Sequence, residues 1–207
     1  MIQFWLIIVL LVPAATVHAE LVDRMVAAVN NEVITWSELQ RTIALNKAVA
    51  GNAGDLKRIE TETLEGLINK RLLLQEARRL RFAEVSEQDV AAEVDKLKKR
   101  FITDKALADF LSQQDMTREE LSRMLGERLL AERFVEKKVG LFVRVGREEA
   151  EGYFKSHREL FPGKRFQEVQ KRIMAMLTEQ MIGQQIDQYV ADLRAKAELR
   201  MNPPESK

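Results

Sequence analysis

The chain has 207 residues, with 33 Lys and Arg against 32 Asp and Glu, 46% hydrophobic residues and no cysteine. This length suits one ordinary domain or two small ones, and the composition is that of a globular protein with a leaning towards helices. The near-zero net charge argues against nucleic-acid binding, and the absence of cysteine excludes disulfides and thiolate chemistry.

The first nineteen residues have the pattern of an export signal. An unbroken apolar run, Phe4–Val12, is followed by Val17 and Ala19 at the −3 and −1 positions before Glu20. This spacing predicts cleavage by signal peptidase. The run is shorter than the roughly 20 apolar residues that a transmembrane helix needs. We therefore expect a signal peptide over residues 1–19, an exported mature chain and no stable membrane insertion after cleavage. An uncleaved anchor is the alternative, because no Lys or Arg precedes the run.

The first predicted elements of the mature chain are a β-hairpin and a helix. Two apolar segments, Met25–Val29 and Val33–Thr35, flank the turn residues Asn30–Glu32. Asn tolerates the left-handed backbone that a tight turn requires. The S/T-x-x-E pattern that begins at Thr35 then predicts a capped helix to about Ala50.

The next predicted helix, which Asp55 can cap, carries two apolar stripes. The stripes comprise Leu56, Ile59, Leu67 and Leu74 on one side, and Leu64, Ile68 and Leu72 on the other. Two stripes indicate a helix that is buried on two sides, or one that keeps a stripe for a partner.

Further capping patterns predict four more helices. These helices run from Ser86 to about Phe101, from Thr103 or Asp104 to about Gln114, from Thr117 to about Val139, and from Gly146 to about His157. Val143–Val145 is expected to be extended, between the last two of them.

The last predicted helix, from about Arg165 to Lys196, changes its apolar side near Gly183. The first face comprises Phe166, Val169, Ile173, Met176 and Leu177, and the second comprises Ile182, Ile186, Tyr189, Val190 and Leu193. At about 100° per residue the two faces lie half a turn apart. A rigid helix of this kind must pack against two bodies, so we expect two sub-cores that this helix bridges. A final strand, Glu198–Met201, is expected to pair with the hairpin.

Residues for catalysis or metal binding are scarce in the predicted mature chain. Its one histidine, His157, lies in the charged stretch Lys155–Glu159, where a surface position is expected. No nucleophile elbow or glycine-rich nucleotide motif is present. The many carboxylates fall on solvent-facing helix positions. We therefore expect a binding protein that is not an enzyme and that has no metal or cofactor.

Methionines and the second stripe of the two-sided helix supply the candidate binding residues. Methionine is flexible and polarizable, which suits promiscuous apolar surfaces. Met174 and Met181 are seven residues apart and share one side of the last helix, although core packing is the alternative for such a pair. The candidates are Leu64, Ile68, Met116, Met124, Met174 and Met181.

The order of the segments resembles the SurA family of periplasmic chaperones. Val22–Thr35 is similar to the opening segment of that family, V-D-x-(I/V)-x-A-x-V-N-x-x-(V/I)-I-(T/L), and Leu67–Ala77 is similar to its L-I-x-x-x-L-L-x-Q-x-A helix. Later segments with the same resemblance are Val85–Val90, Phe110–Leu125, Leu129–Arg133 and Phe166–Arg200. The resemblance implies a mainly α fold, in which several helices and a long C-terminal helix accompany a small sheet that joins the N-terminal hairpin to a C-terminal strand.

The chain departs from this family in one large respect. SurA relatives usually carry one or two parvulin-type prolyl isomerase domains before the terminal helix, but here only Lys155–Lys164 stands in that place. Ten residues are far too few for a domain. We therefore expect a chaperone core over residues 20–207, made of 20–160 and 165–201, without an isomerase domain or its activity. Asp115 stands where the family often has a turn glycine.

The resemblance implies an ATP-independent holdase in the periplasm. Such a protein binds extended, unfolded outer-membrane or secreted polypeptides through their aromatic and apolar segments. One alternative is a dedicated assembly factor that binds one folded exported partner through a single apolar patch. A prolyl isomerase is a poorer alternative, because the length and the active-site residues are missing. A homodimer that exchanges the last helix is also open, because the link through Pro162–Gly163 is short.

Overall fold

The computed structural model describes residues 23–50, 54–83, 85–140 and 143–202. Within these ranges the chain forms seven α-helices, one short 3-10 helix and one three-stranded antiparallel sheet. The predicted signal peptide, residues 1–19, lies outside the described residues.

The elements follow the predicted order, and their ends lie within a few residues of the predicted ones. They are β1 (Met25–Val29), β2 (Glu32–Thr35), α1 (Trp36–Ala50), α2 (Leu56–Arg79), α3 (Glu87–Lys98), α4 (Asp104–Gln113), α5 (Arg118–Gly140), α6 (Arg147–Ser156), the 3-10 helix (Arg158–Leu160), α7 (Phe166–Lys196) and β3 (Leu199–Met201). The mainly helical fold class is therefore confirmed.

The small sheet joins the two ends of the described chain. Its strand order is β2-β1-β3, with Ala27 opposite Met201 and Val29 opposite Leu199. The turn residue Asn30 has the left-handed φ of 56° that its position requires. Its backbone N–H donates to the carbonyl of Glu198 at 2.8 Å, and its side-chain oxygen accepts from the N–H of Glu198 at 2.9 Å. One residue therefore forms the hairpin turn and also holds the start of β3.

Helix α2 is buried on two sides, which settles the alternative that its two stripes left open. One side packs beneath the sheet and α1, where Leu64, Ile68 and Leu72 meet residues such as Val26 and Ile34. The other side packs against α5 and α7, and of the first predicted stripe only Leu74 lies there, because Ile59 and Leu67 belong to the cluster beneath the sheet. The buried residues of that second cluster are Leu73, Leu74, Ala77, Ala131, Phe134, Val135, Val139 and Val190. Leu56, predicted on the first stripe, lies in the first turn of α2 and is 64% exposed.

A third cluster joins α1, α3, α4 and α5. Its buried residues are Leu45, Leu97, Leu107, Leu111, Met116, Leu121 and Leu125. The turn between α4 and α5 places Asp115 at φ 46°, which is the backbone conformation that glycine adopts most readily.

Helix α7 bridges two bodies, as its change of apolar side predicts. Its first half packs against α6 in a separate cluster, whose buried residues are Ala150, Phe154, Phe161, Phe166, Val169 and Ile173. Its second half packs against α2 and α5, through Val190 and the partly buried Ile186, Tyr189 and Leu193. We call α6, the 3-10 helix and the first half of α7 the α6 lobe, and the rest of the described chain the main body.

Candidate binding groove

Three of the six candidate binding residues are core residues in this structure. Leu64 and Ile68 are 6% and 0% exposed beneath the sheet, and Met116 is 6% exposed in the cluster between α4 and α5. The sheet covers the second stripe of α2, which sequence periodicity alone could not show. These side chains therefore present little or no surface to a partner, and a binding role for them stays a prediction.

The other three candidates are partly buried and lie in separate places. Met124 lies beside the third cluster and lines a groove. Met174 packs against the buried cluster of the α6 lobe, and its sulfur is 3.7 Å from the side-chain nitrogen of Gln170. Met181 lies in the middle of α7. The structure does not bring the six candidates together as one patch.

A groove of about 460 Å³ lies along α2, between α1 and α5. The part of α2 that lines it extends from Ile59 to Leu73, which is roughly 21 Å at 1.5 Å per residue. Its apolar lining residues are Leu45, Ile59, Leu67, Leu73, Met124, Leu125, Ala131 and Val135. We call this concavity the α2 groove.

The α2 groove exists because the third side of α2 carries small and polar side chains. That side presents Glu62, Thr63, Gly66, Asn69 and Lys70 to the groove. Because both apolar sides of α2 are already covered, no apolar stripe remains on α2 against which a further helix could pack. The space between α1 and α5 therefore stays open over an apolar floor.

The rim of the groove carries charges of both signs. Three cationic residues, Lys47, Lys70 and Arg128, and two anionic residues, Glu62 and Glu132, line it. Several of them are paired: the Lys70 Nζ atom is 3.2 Å from a carboxylate oxygen of Glu127, and the Arg128 Nε atom is 3.5 Å from one of Glu132. The rim therefore has no strong field of one sign.

Arg128 also forms an ion pair with Glu93, and the pKa of the Glu93 carboxyl is lowered. Glu93 accepts hydrogen bonds from Lys96 at 2.6 Å and from Arg128 at 3.2 Å. The hydrogen bond from Lys96 and the nearby positive charges of Lys96 and Arg128 lower the pKa of the Glu93 carboxyl. Glu93 therefore stays ionised and holds Arg128 at the edge of the groove.

An ionic cluster fixes α1 against α2 below the groove. The Arg71 guanidinium donates to both carboxylate oxygens of Glu38, at 2.8 and 2.9 Å, and to Glu32 at 3.2 Å. The predicted capping box at Thr35 is therefore realised only in part. The backbone N–H of Glu38 donates to the Thr35 hydroxyl at 3.3 Å, while the Glu38 carboxylate binds Arg71. Glu38, at the start of α1, thus also helps to position this helix, which forms one wall of the groove.

A second apolar depression, of about 660 Å³, lies on another side of α5, beside α3. It is lined by residues such as Phe82, Val85, Val90 and Leu130. At its base α3 and α5 approach closely, since a Cβ atom at Gly126 would lie 3.2 Å from a methyl group of Val90. Glycine at this position therefore has a packing reason.

His157 lies at the C-terminal end of α6. Its ring stacks on Tyr153 at 4.1 Å between centroids, and its Nδ1 atom is 3.1 Å from the Tyr153 carbonyl and 3.0 Å from the Ser156 hydroxyl. The Ser156 hydroxyl itself donates to the carbonyl of Gly152 at 3.0 Å. These contacts hold His157 against the last turn of α6.

In the described part of the chain, no group of histidine and carboxylate side chains has the arrangement of a metal site. No helix there is long and apolar enough to span a bilayer.

Comparison with known proteins agrees with this fold. The family model of the SurA-like N-terminal domain matches residues 1–135. A solved chain from a study of PEB4 and Cj1289, described as two structurally related SurA-like chaperones of the human pathogen Campylobacter jejuni, aligns with a TM-score of 0.55 at 12% identity. The alignment covers 87% of this chain and 99% of that chain, and it shows a shared fold. A comparison with curated proteins finds no match. Because the family model matches well over half of its residues, this chain belongs to the SurA-like N-terminal domain family.

Proposed function

We propose that this protein is an ATP-independent periplasmic chaperone that holds unfolded outer-membrane or secreted polypeptides in the α2 groove. Family membership supports a chaperone role in the periplasm. The observation that carries the finer proposal is the groove itself, an open channel with an apolar floor and a rim of both charges. It is accessible to a chain that is still extended.

The physical properties of the groove suit a holdase. Burying one Val, Leu, Ile, Phe or Met side chain contributes about 1.5–3 kcal/mol. A floor that accepts two or three such side chains therefore supports weak, reversible binding once the loss of motional freedom is subtracted. A native protein has already buried those side chains, so the groove discriminates unfolded from folded clients.

The proposal has three further parts. The mature protein begins at Glu20, after removal of residues 1–19, and works in the periplasm. It acts as a chaperone core over residues 20–207, without an isomerase domain, a catalytic residue or a cofactor. Exchange of α7 between two copies stays a prediction, which the short link before α7 supports, since Gly163 turns the chain there at φ 70°.

A dedicated assembly factor for one folded partner is the second candidate. The observation that favours it is the apolar depression between α3 and α5, with Phe82, Val85, Val90 and Leu130 in its lining. A folded partner with one protruding apolar side chain would fit such a depression, whereas an extended chain would follow the α2 groove along its helix.

The experiment uses the mature chain and two matched variants. An outer-membrane β-barrel protein is unfolded in urea and diluted into buffer, and its aggregation is followed by light scattering. We expect the protein to suppress scattering near equal molar ratio without ATP. Met124→Glu places a charge on the wall of the α2 groove and should weaken this suppression several-fold. Met181→Glu changes a partly buried methionine of α7 and should leave it intact.

Two outcomes would change the proposal. If the scattering is unchanged while an unrelated holdase works in the same tube, general chaperone activity is wrong, and capture of one folded partner is the better hypothesis. If Met181→Glu impairs suppression and Met124→Glu does not, the client site lies on α7 and not in the α2 groove. Circular dichroism of both variants separates either effect from unfolding.

A further inference from the structure

In the described part of the chain, three helical glycines have no packing neighbour where a side chain would lie. All three are exposed, and a Cβ atom built at Gly66, Gly152 or Gly183 would meet no atom within 4 Å beyond its chain neighbours and the backbone of its own helix. A glycine inside a helix destabilises the helix relative to alanine, because the unfolded backbone of glycine has more conformational freedom. Packing within the described chain therefore gives no reason for glycine at these three positions.

Gly66 differs from the other two glycines in its location. It lies near the middle of α2 and on the lining of the α2 groove, between the apolar floor residues Ile59 and Leu73. Gly152 lies on α6 and Gly183 on α7, and neither helix lines the groove. Gly126 has a neighbour at 3.2 Å, so close packing of α3 explains it. At Gly66 the absence of a side chain widens the α2 groove.

We propose that Gly66 sets what the α2 groove admits, by leaving room in its wall for one apolar side chain of an extended, unfolded segment. This inference rests on the proposed holdase function and adds a residue that determines specificity. The lining of α2 from Ile59 to Leu73 has the length of about six extended residues at roughly 3.3 Å each. In such a segment alternate side chains point towards the floor, and the space beside Gly66 takes one of them.

The charges of the rim restrict the occupant further. Lys70 and Arg128 already have carboxylate partners at 3.2 Å, Glu127 and Glu93 respectively. A bound segment with a high net charge of either sign would have to compete with these pairs. The preferred occupant is therefore an apolar, weakly charged stretch of unfolded polypeptide.

The test compares substitutions at Gly66 with the same substitutions at Gly152. The probe is reduced and carboxymethylated α-lactalbumin, a permanently unfolded protein, carrying a fluorescent label, and the dissociation constant is measured by anisotropy. Gly66→Ala should weaken binding a few-fold. Gly66→Phe fills the space beside α2 and should weaken binding about tenfold or more, since burying one apolar side chain is worth at least that factor. Gly152→Ala and Gly152→Phe should bind as the wild type does.

Thermal unfolding supplies the readout that a purely structural role would not give. Gly66→Ala and Gly152→Ala should both raise the Tm, by about 2–4 °C for a chain of this size. At Gly66 alone, higher stability should accompany weaker binding. Gly66→Phe binding as tightly as the wild type would overturn the inference and leave the holdase function standing. Equal losses at both glycines would overturn it as well, because the effect would then not belong to the groove. Absence of binding by the wild type would overturn the holdase function itself.

Discussion

The two halves of α7 pack against bodies of very different size. The first half meets a single small cluster, in which Phe154 and Ile173 are 4% and 0% exposed, and α6 packs mainly against this helix. The second half crosses α2 and α5, whose clusters continue into the sheet and into α3 and α4. Because so few interactions join the α6 lobe to the rest, its stability should be separable from that of the main body.

The largest expected effect is a cavity in the main body. Phe134 is 2% exposed and packs against Phe82 and Tyr189, with ring centroids 5.4 and 6.4 Å away. Phe134→Ala should destabilise the protein by about 3–5 kcal/mol. Urea unfolding followed by circular dichroism measures this loss. Ile102→Ala, at a residue that is 99% exposed, is the control and should leave the free energy of unfolding unchanged.

A cavity in the α6 lobe tests the comparison directly. Ile173 is fully buried between α6 and α7, and Ile173→Ala should destabilise the lobe by about 2–5 kcal/mol. Hydrogen exchange should accelerate over residues 147–177 and stay slow in α2 and α5. If protection fell equally in α2 and α5, the lobe and the main body would form one cooperative unit, and the comparison would be wrong.

Helix caps give a smaller contrast between the same two regions. Ser86 caps α3 in the main body with a complete capping box, whereas Gly146 begins α6 without any side-chain cap. Ser86→Ala should reduce stability by about 1 kcal/mol, and Gly146→Ser should add a few tenths of a kcal/mol to the lobe. Urea unfolding measures the first change and hydrogen exchange of α6 the second. No gain in the lobe after Gly146→Ser would mean that a feature other than the cap limits its stability.

The smallest effect should depend on pH. The Asp89 carboxylate accepts from Arg133 at 2.7 and 2.9 Å and from the Ser86 backbone at 2.9 Å. The hydrogen bonds from the Arg133 guanidinium have the largest effect, and those from the backbone and hydroxyl of Ser86 come next. Together they hold the pKa of Asp89 well below its usual range. A carboxyl with a lowered folded pKa contributes stability above its unfolded pKa of about 3.9 and loses it as the pH falls through the folded value.

Asp89→Asn should therefore lower the Tm at pH 7, and the difference from wild type should shrink as the pH drops below about 4. Thermal unfolding at pH 7 and pH 3 checks this. A difference of the same size at both values would show that the hydrogen-bond geometry, and not the charge, stabilises the start of α3.

Local signals in the sequence predicted most of the fold. The box at Thr117 is complete, with backbone N–H groups bonded to the Thr117 hydroxyl at 3.1 Å and to the Glu120 carboxylate at 2.8 Å. Such caps depend on residues three apart, so spacing alone identifies them. The change of apolar side along α7 predicted two bodies for the same reason, since a helix face is a local property.

The candidate site was less accessible to sequence reasoning, because it depends on packing between distant segments. Met116 and Met124 are only eight residues apart, yet α4 and α5 bury the first while the second reaches a groove. Gly66 has no special spacing, and only the open space beside it in the structure distinguishes it from Gly126. The carboxylate of Glu38 was predicted to complete the cap at Thr35, but it binds Arg71 of another helix.

The pairing of β1 with β3 has a consequence for the order in which the protein folds. The bonds between Asn30 and Glu198 join residues 168 positions apart. While the chain is being synthesised from its N-terminus, β1 has only its hairpin neighbour. Contacts between such distant residues also carry a high entropic penalty for loop closure, which slows their formation. The sheet can therefore be completed only after residue 201 has been synthesised, so that docking of β3 comes late in the folding of this protein.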